Sequence, residues 1–319
     1  MNKAALRFLA GGSLHYARSV AKNIVKRALG RPHHFTAGDR LFRQYVRQLS
    51  GREKIGRITC IPSTREGAGS QALMTMRAIE FARARGLTYV HTPFADIHHA
   101  DRPMREWAAA WESHFNLGAG EASDARDAIN FAFTFPTLRA LFGVDDEEPP
   151  FDGALVRDFR RKYYSDKLAR TNTPPSVCIH VRRRNCHDFH SEDATDMACL
   201  ARVVSQVCSI LRERDIDHTL RIFSQGVPAD FCMLDAPASQ LFLDADPLWS
   251  MQEMIEADLL VTTRGTFGHV TGLLCDGIVL ADGAFPPQPG WLTYDAGGAF
   301  DTAALASEVS AKMRPASGR

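Results

Sequence analysis

The stretch Cys178-Ile179-His180-Val181-Arg182-Arg183-Arg184-Asn185 ends an apolar run in a histidine and three consecutive arginines. Buried strands seldom finish in clustered positive charge unless an anion is held there, and the planar guanidinium fork matches phosphate oxygens. A phosphate-bearing ligand is the expectation. Successive strand side chains point to opposite faces, so Arg182 and Arg183 should divide the work, one facing the ligand and the other bracing the fold. The competing reading gives both arginines to structural ion pairs.

Two further segments have types and spacing suited to the same chemistry. Glu66-Gly67-Ala68-Gly69-Ser70-Gln71 lies between an expected strand and an expected helix. Glycines there let backbone approach a ligand, and the helix N-terminus favours negative charge. A structural turn explains two glycines equally well, and the dinucleotide fingerprint G-x-G-x-x-G is incomplete because position 72 is Ala. Thr262-Thr263-Arg264-Gly265-Thr266-Phe267-Gly268-His269 breaks from a strand into hydroxyl and glycine residues before a helix. Backbone amides and the Thr266 hydroxyl could meet phosphate there, or Thr266 could simply cap the helix.

The elements that must position these segments alternate. Residues 57–62 read as a strand, 70–85 as a helix and 87–93 as a strand, a β-loop-α-β unit that implies a parallel sheet. Residues 104–117 and 122–142 read as mostly helical, and Asp145-Asp146-Glu147-Glu148-Pro149-Pro150 then interrupts regular structure. After a helix within 151–170, strands at 176–182, 219–224, 240–243, 259–263 and 277–280 alternate with helices at 196–213, 247–257 and 266–275, the pattern of a doubly wound α/β domain. The expected organisation is a basic helical segment over 1–50 and two α/β lobes over 51–150 and 151–319, the assignment of an acceptor to the first and a nucleotide sugar to the second resting on the family resemblance given below.

The 319 residues, 45% of them hydrophobic, suffice for two cores. A formal net charge of +1 gives no general pull toward nucleic acid. Seven cysteines without a C-x-x-C pair argue for reduced thiols and a cytoplasmic protein. Lys3, Arg7, Arg18, Lys22, Lys26, Arg27 and Arg31 precede the first acidic residue, Asp39. Residues 1–31 therefore read either as an amphipathic helix packed on the domain or as a peripheral contact with anionic lipid.

Together the segments resemble the fucosyltransferase superfamily that includes the α1,6-, α1,2- and protein O-fucosyltransferases. His180-Val181-Arg182-Arg183 is similar to its H-x-R-R motif and Gly67-Ala68-Gly69-Ser70-Gln71 to its G-x-G-N-Q loop. Ser224, Thr266 and Phe267 match later motifs, and Met254 to Val261 looks like the approach to the last one. The resemblance spans residues 58–280 in the expected order. It implies a GT-B-like fold, two Rossmann-like lobes facing a cleft, with GDP-fucose as donor substrate, no cofactor or metal, and a glycan acceptor. It further implies that Arg182 contacts the β-phosphate, that His180 sits near the guanine, and that Thr266 and Phe267 line the phosphate and base pocket.

Asn185, Arg184, Ser70 and Gln225 depart from the family pattern, and they touch the acceptor side more than the donor side. Asp188, His190 and Glu192 follow the motif closely and are the candidates for a catalytic base, each equally readable as a solvated loop residue. Asp215-Ile216-Asp217 and Asp244-Ala245-Asp246 fit the D-x-D pattern of metal-dependent transferases, the second reading better as a turn before Pro247. Cys186-His187-Asp188-Phe189-His190 has zinc-like spacing but lacks a distant partner. Trp107, Trp111 and Trp291 read as core more readily than as stacking surfaces for acceptor sugars. A transferase using another nucleotide sugar, or an inactive binding relative, would share the same arginines.

Overall fold

A computed structural model describes residues 56–62, 66–124, 128–131, 149–167, 174–183, 195–234 and 240–313. The basic segment 1–50, the Cys186–His190 cluster and the candidate bases Asp188, His190 and Glu192 lie outside the described residues. The chain divides into two compact units, up to Glu148 and from Pro149 onward.

The first unit carries a three-stranded parallel sheet in the order β2-β1-β3, with β1 at Arg57–Thr59, β2 at Thr88–Val90 and β3 at Ile129–Asn130. Helix α1 (Ala68–Ala84) connects β1 to β2 and buries Ala72, Met76, Ile79 and Ala82. Helix α2 (Met104–Phe115) follows β2 and ends at Asn116 in the left-handed conformation, φ 50°. Strand β3 falls inside the stretch expected to be helical: pairing Ile129 and Asn130 with Ile58 and Thr59 outweighs the local helical pattern.

The second unit contains α3 (Gly153–Tyr164), β4 (Ser176–His180), α4 (Met197–Glu213), β5 (Thr219–Ser224) and a 3-10 turn at Pro228–Leu234. Then follow β6 (Leu241–Leu243), α5 (Pro247–Ile255), β7 (Leu259–Thr262), α6 (Thr266–Leu274), β8 (Ile278–Ala281), β9 (Leu292–Thr293) and α7 (Thr302–Lys312). Its sheet is wholly parallel in the order β6-β5-β4-β7-β8-β9. Counted from β4, that is 3-2-1-4-5-6, the doubly wound order whose strand sequence reverses between β4 and β7. The chain is α/β with parallel sheets, as the alternation implies.

Alternation along β4 feeds two cores. Val177, Ile179 and Val181 pack with Leu200, Val203, Val207, Leu305 and Val309 of α4 and α7. Cys178 faces the other way, among Phe223, Met254, Leu260, Cys275 and Val279. Both faces are buried, which is why β4, β7 and β8 read as continuous apolar runs. Among the described cysteines, burial pushes the Cys60 and Cys275 thiols up to about 12. They behave as small core residues.

Candidate functional site

Open parallel sheets bind ligands at the carboxyl ends of the strands flanking the reversal of strand order. In the second unit those ends are His180 to Arg183, after β4, and Thr262 to Thr266, after β7. Two segments singled out by residue type therefore meet at the one crevice the topology creates. Hydroxyl groups stitch the edge together. The Arg182 amide donates to Thr263 Oγ1 at 2.7 Å, joining β4 to β7. Ser224, at the end of β5, donates from Oγ to the Val181 carbonyl at 2.8 Å. Thr195 donates to the Arg182 carbonyl from its amide (3.1 Å) and its hydroxyl (2.8 Å). Arg182 thus has both backbone groups fixed, so its side chain starts from a rigid point.

The strand expected over 176–182 ends at His180, so Arg182 and Arg183 lie beyond it, yet their side chains still diverge. Arg183 turns toward the 3-10 turn, 3.2 Å from Asp230 and over the Phe231 ring at 5.7 Å. Arg182 runs beside Gly265, its Cδ 3.6 Å from where a Cβ on that glycine would lie. Gly265 has φ 115° and ψ 144°, a conformation costly for any other residue, and it forms the N-cap of α6. Helices α3, α4, α5 and α7 begin on Asp152, Asp196, Asp246 and Asp301, whose carboxylates accept from first-turn amides. Helix α6 has no such side-chain cap, and Thr266 is its first residue. Arg182 therefore lies beside a helix N-terminus whose N-cap residue, a glycine, brings no side chain to the first-turn amides, a combination suited to phosphate.

His180 supports this arrangement from below. It is 7% exposed, its ring stacks on Phe267 with centroids 5.6 Å apart, and its Nδ1 has no hydrogen-bond partner among the described residues. Burial, aided by the nearby Arg182 charge, lowers its pKa to about 4. The folded protein resists protonating His180 until about pH 4, whereas the unfolded chain takes up that proton near pH 6.5. Its contribution is complete above pH 6.5 and falls progressively toward pH 4. Between pH 7 and pH 5 the wild type should lose about 2 kcal/mol that His180→Phe retains. Thermal melts of both proteins at the two pH values measure the difference.

Close packing also explains Gly268. A Cβ there would sit 2.7 Å from His180 Nδ1 and 3.1 Å from the Thr263 carbonyl. Gly268→Ala is expected to destabilise by about 1–3 kcal/mol through this overpacking, read as a lowered melting temperature.

The other sequence-derived residues are placed as follows. In the first unit Gly67 is the N-cap of α1, with Gly69 and Ser70 in its first turn. Gln71 is 2% exposed and donates through Nε2 to the carbonyls of Glu66 (2.9 Å) and Asp96 (2.8 Å), clasping the loop. A Cβ on Gly67 would meet nothing within 4 Å, and its φ of −74° suits any residue, so the fold itself does not demand glycine there. Asp246 caps α5 by accepting from Trp249 N at 2.9 Å, and Asp244 accepts from Gly226 N at 3.3 Å. Both aspartates have structural partners. Trp107 and Trp111 are buried edge-to-face, centroids 5.5 Å apart, and belong to the core. Thr263 as the clasp of Arg182 and Asp230 as the partner of Arg183 carry no local sequence pattern that marks them.

No protein-family profile matches the chain, and no curated protein matches it. Among solved structures it is similar to the Methanocaldococcus jannaschii UDP-GlcNAc 2-epimerase in complex with UDP-GlcNAc and UDP: 13% identity, 91% of this chain and 80% of the other covered, TM-score 0.31. It is also similar to the E. coli heptosyltransferase WaaC with ADP-2-deoxy-2-fluoro heptose: 14% identity, 80% of this chain and 98% of the other, TM-score 0.34. Likenesses this faint carry no weight for the chemistry. No described helix is long and apolar enough to cross a membrane.

Proposed function

We propose that the second unit binds the diphosphate of a nucleotide sugar between Arg182 and the N-terminus of α6, and that the protein is a glycosyltransferase. The observation that carries this reading is the guanidinium held beside an uncapped helix terminus at the reversal of strand order. Breaking a sugar–diphosphate bond places negative charge on the leaving group, and fixed cations and amides lower the barrier by meeting that charge. Arg182 and the amides of Thr266 and Phe267 supply that role without a metal. Arg183, engaged by Asp230, positions the strand end. Resemblance to the fucosyltransferases makes GDP-fucose the donor and a glycan the acceptor, with inversion at the anomeric carbon. A cytoplasmic protein with peripheral lipid contact through residues 1–31 fits the same picture.

Release of GDP from GDP-fucose in the presence of a panel of glycan acceptors tests the proposal. Turnover should persist in excess EDTA. Competition among GDP, UDP and ADP for the wild-type protein decides the base, which the phosphate-binding groups do not select. Preference for UDP or ADP would replace GDP-fucose with another nucleotide sugar, and affinity for none of the three would remove the transferase reading. Arg183→Ala should leave GDP affinity within about fivefold of wild type, because it removes a partly exposed ion pair worth at most about 1 kcal/mol.

A further inference from the structure

The first unit contains a cavity of about 720 Å³ between the loop after β2 and the exposed face of α2. Phe94, Met104, Ala108 and Ala109 make its apolar wall, and Glu112 and Arg105 bring charge to it. That volume is in the range of small-ligand sites.

Glu112 is held in place by an unusual amount of buried polar structure. Its Oε1 is 2.6 Å from His91 Nε2, and its Oε2 accepts from the Phe94 amide at 3.0 Å. His91 is 8% exposed, with its Nδ1 3.3 Å from the Tyr89 hydroxyl. Gly118 makes room for the imidazole, since a Cβ there would lie 2.4 Å from His91 Cδ2. Tyr89, His91, Gly118 and the Phe94 amide thus all serve to orient one carboxylate, and the Glu112 side chain is still 23% exposed and lines the cavity. A carboxylate offers about four acceptor positions, more than its contacts with His91 and the Phe94 amide fill.

From this we infer that the cavity binds a sugar ring, whose hydroxyls donate to Glu112 while its C–H face lies on Phe94, Met104 and Ala108. A neutral hydroxyl-rich ring meets both requirements at once. An anion seated at Glu112, away from Arg105, would be repelled, and a purely apolar ligand would leave the remaining acceptor positions of the carboxylate without donors. The inference deepens the transferase reading, on which it rests for the view that this ring belongs to the acceptor.

The test compares full-length wild type, Ala109→Trp and Glu112→Gln for binding to an array of defined neutral oligosaccharides, with a parallel titration of GDP. Ala109 is exposed on α2, so its replacement fills the cavity without touching the core. Glutamine keeps an acceptor for the Phe94 amide. The expected result is an oligosaccharide bound by the wild type and weakened at least tenfold in both variants, with GDP affinity within twofold of wild type in all three. Oligosaccharide binding undiminished in Ala109→Trp, or no array member bound by the wild type, would overturn the inference. Oligosaccharide bound through this cavity by a protein without affinity for GDP would instead defeat the donor assignment and leave the sugar site standing.

Discussion

Replacing Arg182 by alanine is expected to lower sugar transfer by about 10²-fold or more with little change in melting temperature. The backbone of Arg182 is tied at both its amide and its carbonyl, through Thr263 and Thr195, and those bonds survive the substitution. What is lost is the guanidinium beside Gly265, the group that the proposed mechanism sets against the charge of the departing diphosphate. GDP affinity should fall as well, whereas guanosine, which lacks phosphate, should bind both proteins alike. Arg182→Lys keeps the charge but not the fork and should recover only part of the rate. A full rate in Arg182→Ala would show that this arginine does not meet the leaving group.

The second large effect concerns stability at the opposite edge of the same sheet. Gly277 lies between α6 and β8, and a Cβ there would be 2.2 Å from the Ala257 carbonyl oxygen and 2.6 Å from that of Asp258. Backbone atoms cannot rotate away as a side chain can. Asp258 joins three strands at this point: its amide donates to the Ser176 carbonyl at 3.1 Å, its carbonyl accepts from Ile278 N at 2.9 Å, and its carboxylate accepts from Ser176 N at 2.8 Å. Gly277→Ala must displace that junction, and a loss of about 3 kcal/mol or more is expected, at the upper end of overpacking effects. For a domain of this size that lowers the melting temperature by roughly 6–12 °C. Gly67→Ala, where a Cβ meets nothing, should leave the melting temperature unchanged and serves as the control.

The second unit was legible in outline because its strands are buried on both faces and its helices carry apolar stripes. Helix α4, with Leu200, Val203, Val204, Val207 and Leu211 inward, is the clearest case. Strand β9 and helix α7 escaped notice. Leu292–Thr293 is too short to show a period, and α7 buries only Leu305, Ala306 and Val309 within a run of small residues. Strand β3 was misread as helix because a two-residue pairing leaves no pattern of its own.

At the site, the divergence of Arg182 from Arg183 matches the expectation, although both residues lie beyond the end of β4 at His180 and are turned apart by their separate partners. Those partners were not legible, since Thr263 is 81 residues from Arg182 in sequence and becomes its neighbour only through the parallel pairing of β4 and β7. The same holds for Glu112 and His91, joined across 21 residues by the turn from β2 into α2. Gly265 and Gly268 could be seen as a loop signal, but the reasons differ: one needs positive φ, and the other needs the space His180 fills.

A crystal structure of the full-length protein with GDP tests the central claim most directly. β-Phosphate oxygens should lie within about 3 Å of the Arg182 guanidinium and of the first amides of α6. Well-ordered GDP bound at another edge of the sheet, or an Arg182 side chain turned away from the phosphates, would contradict it.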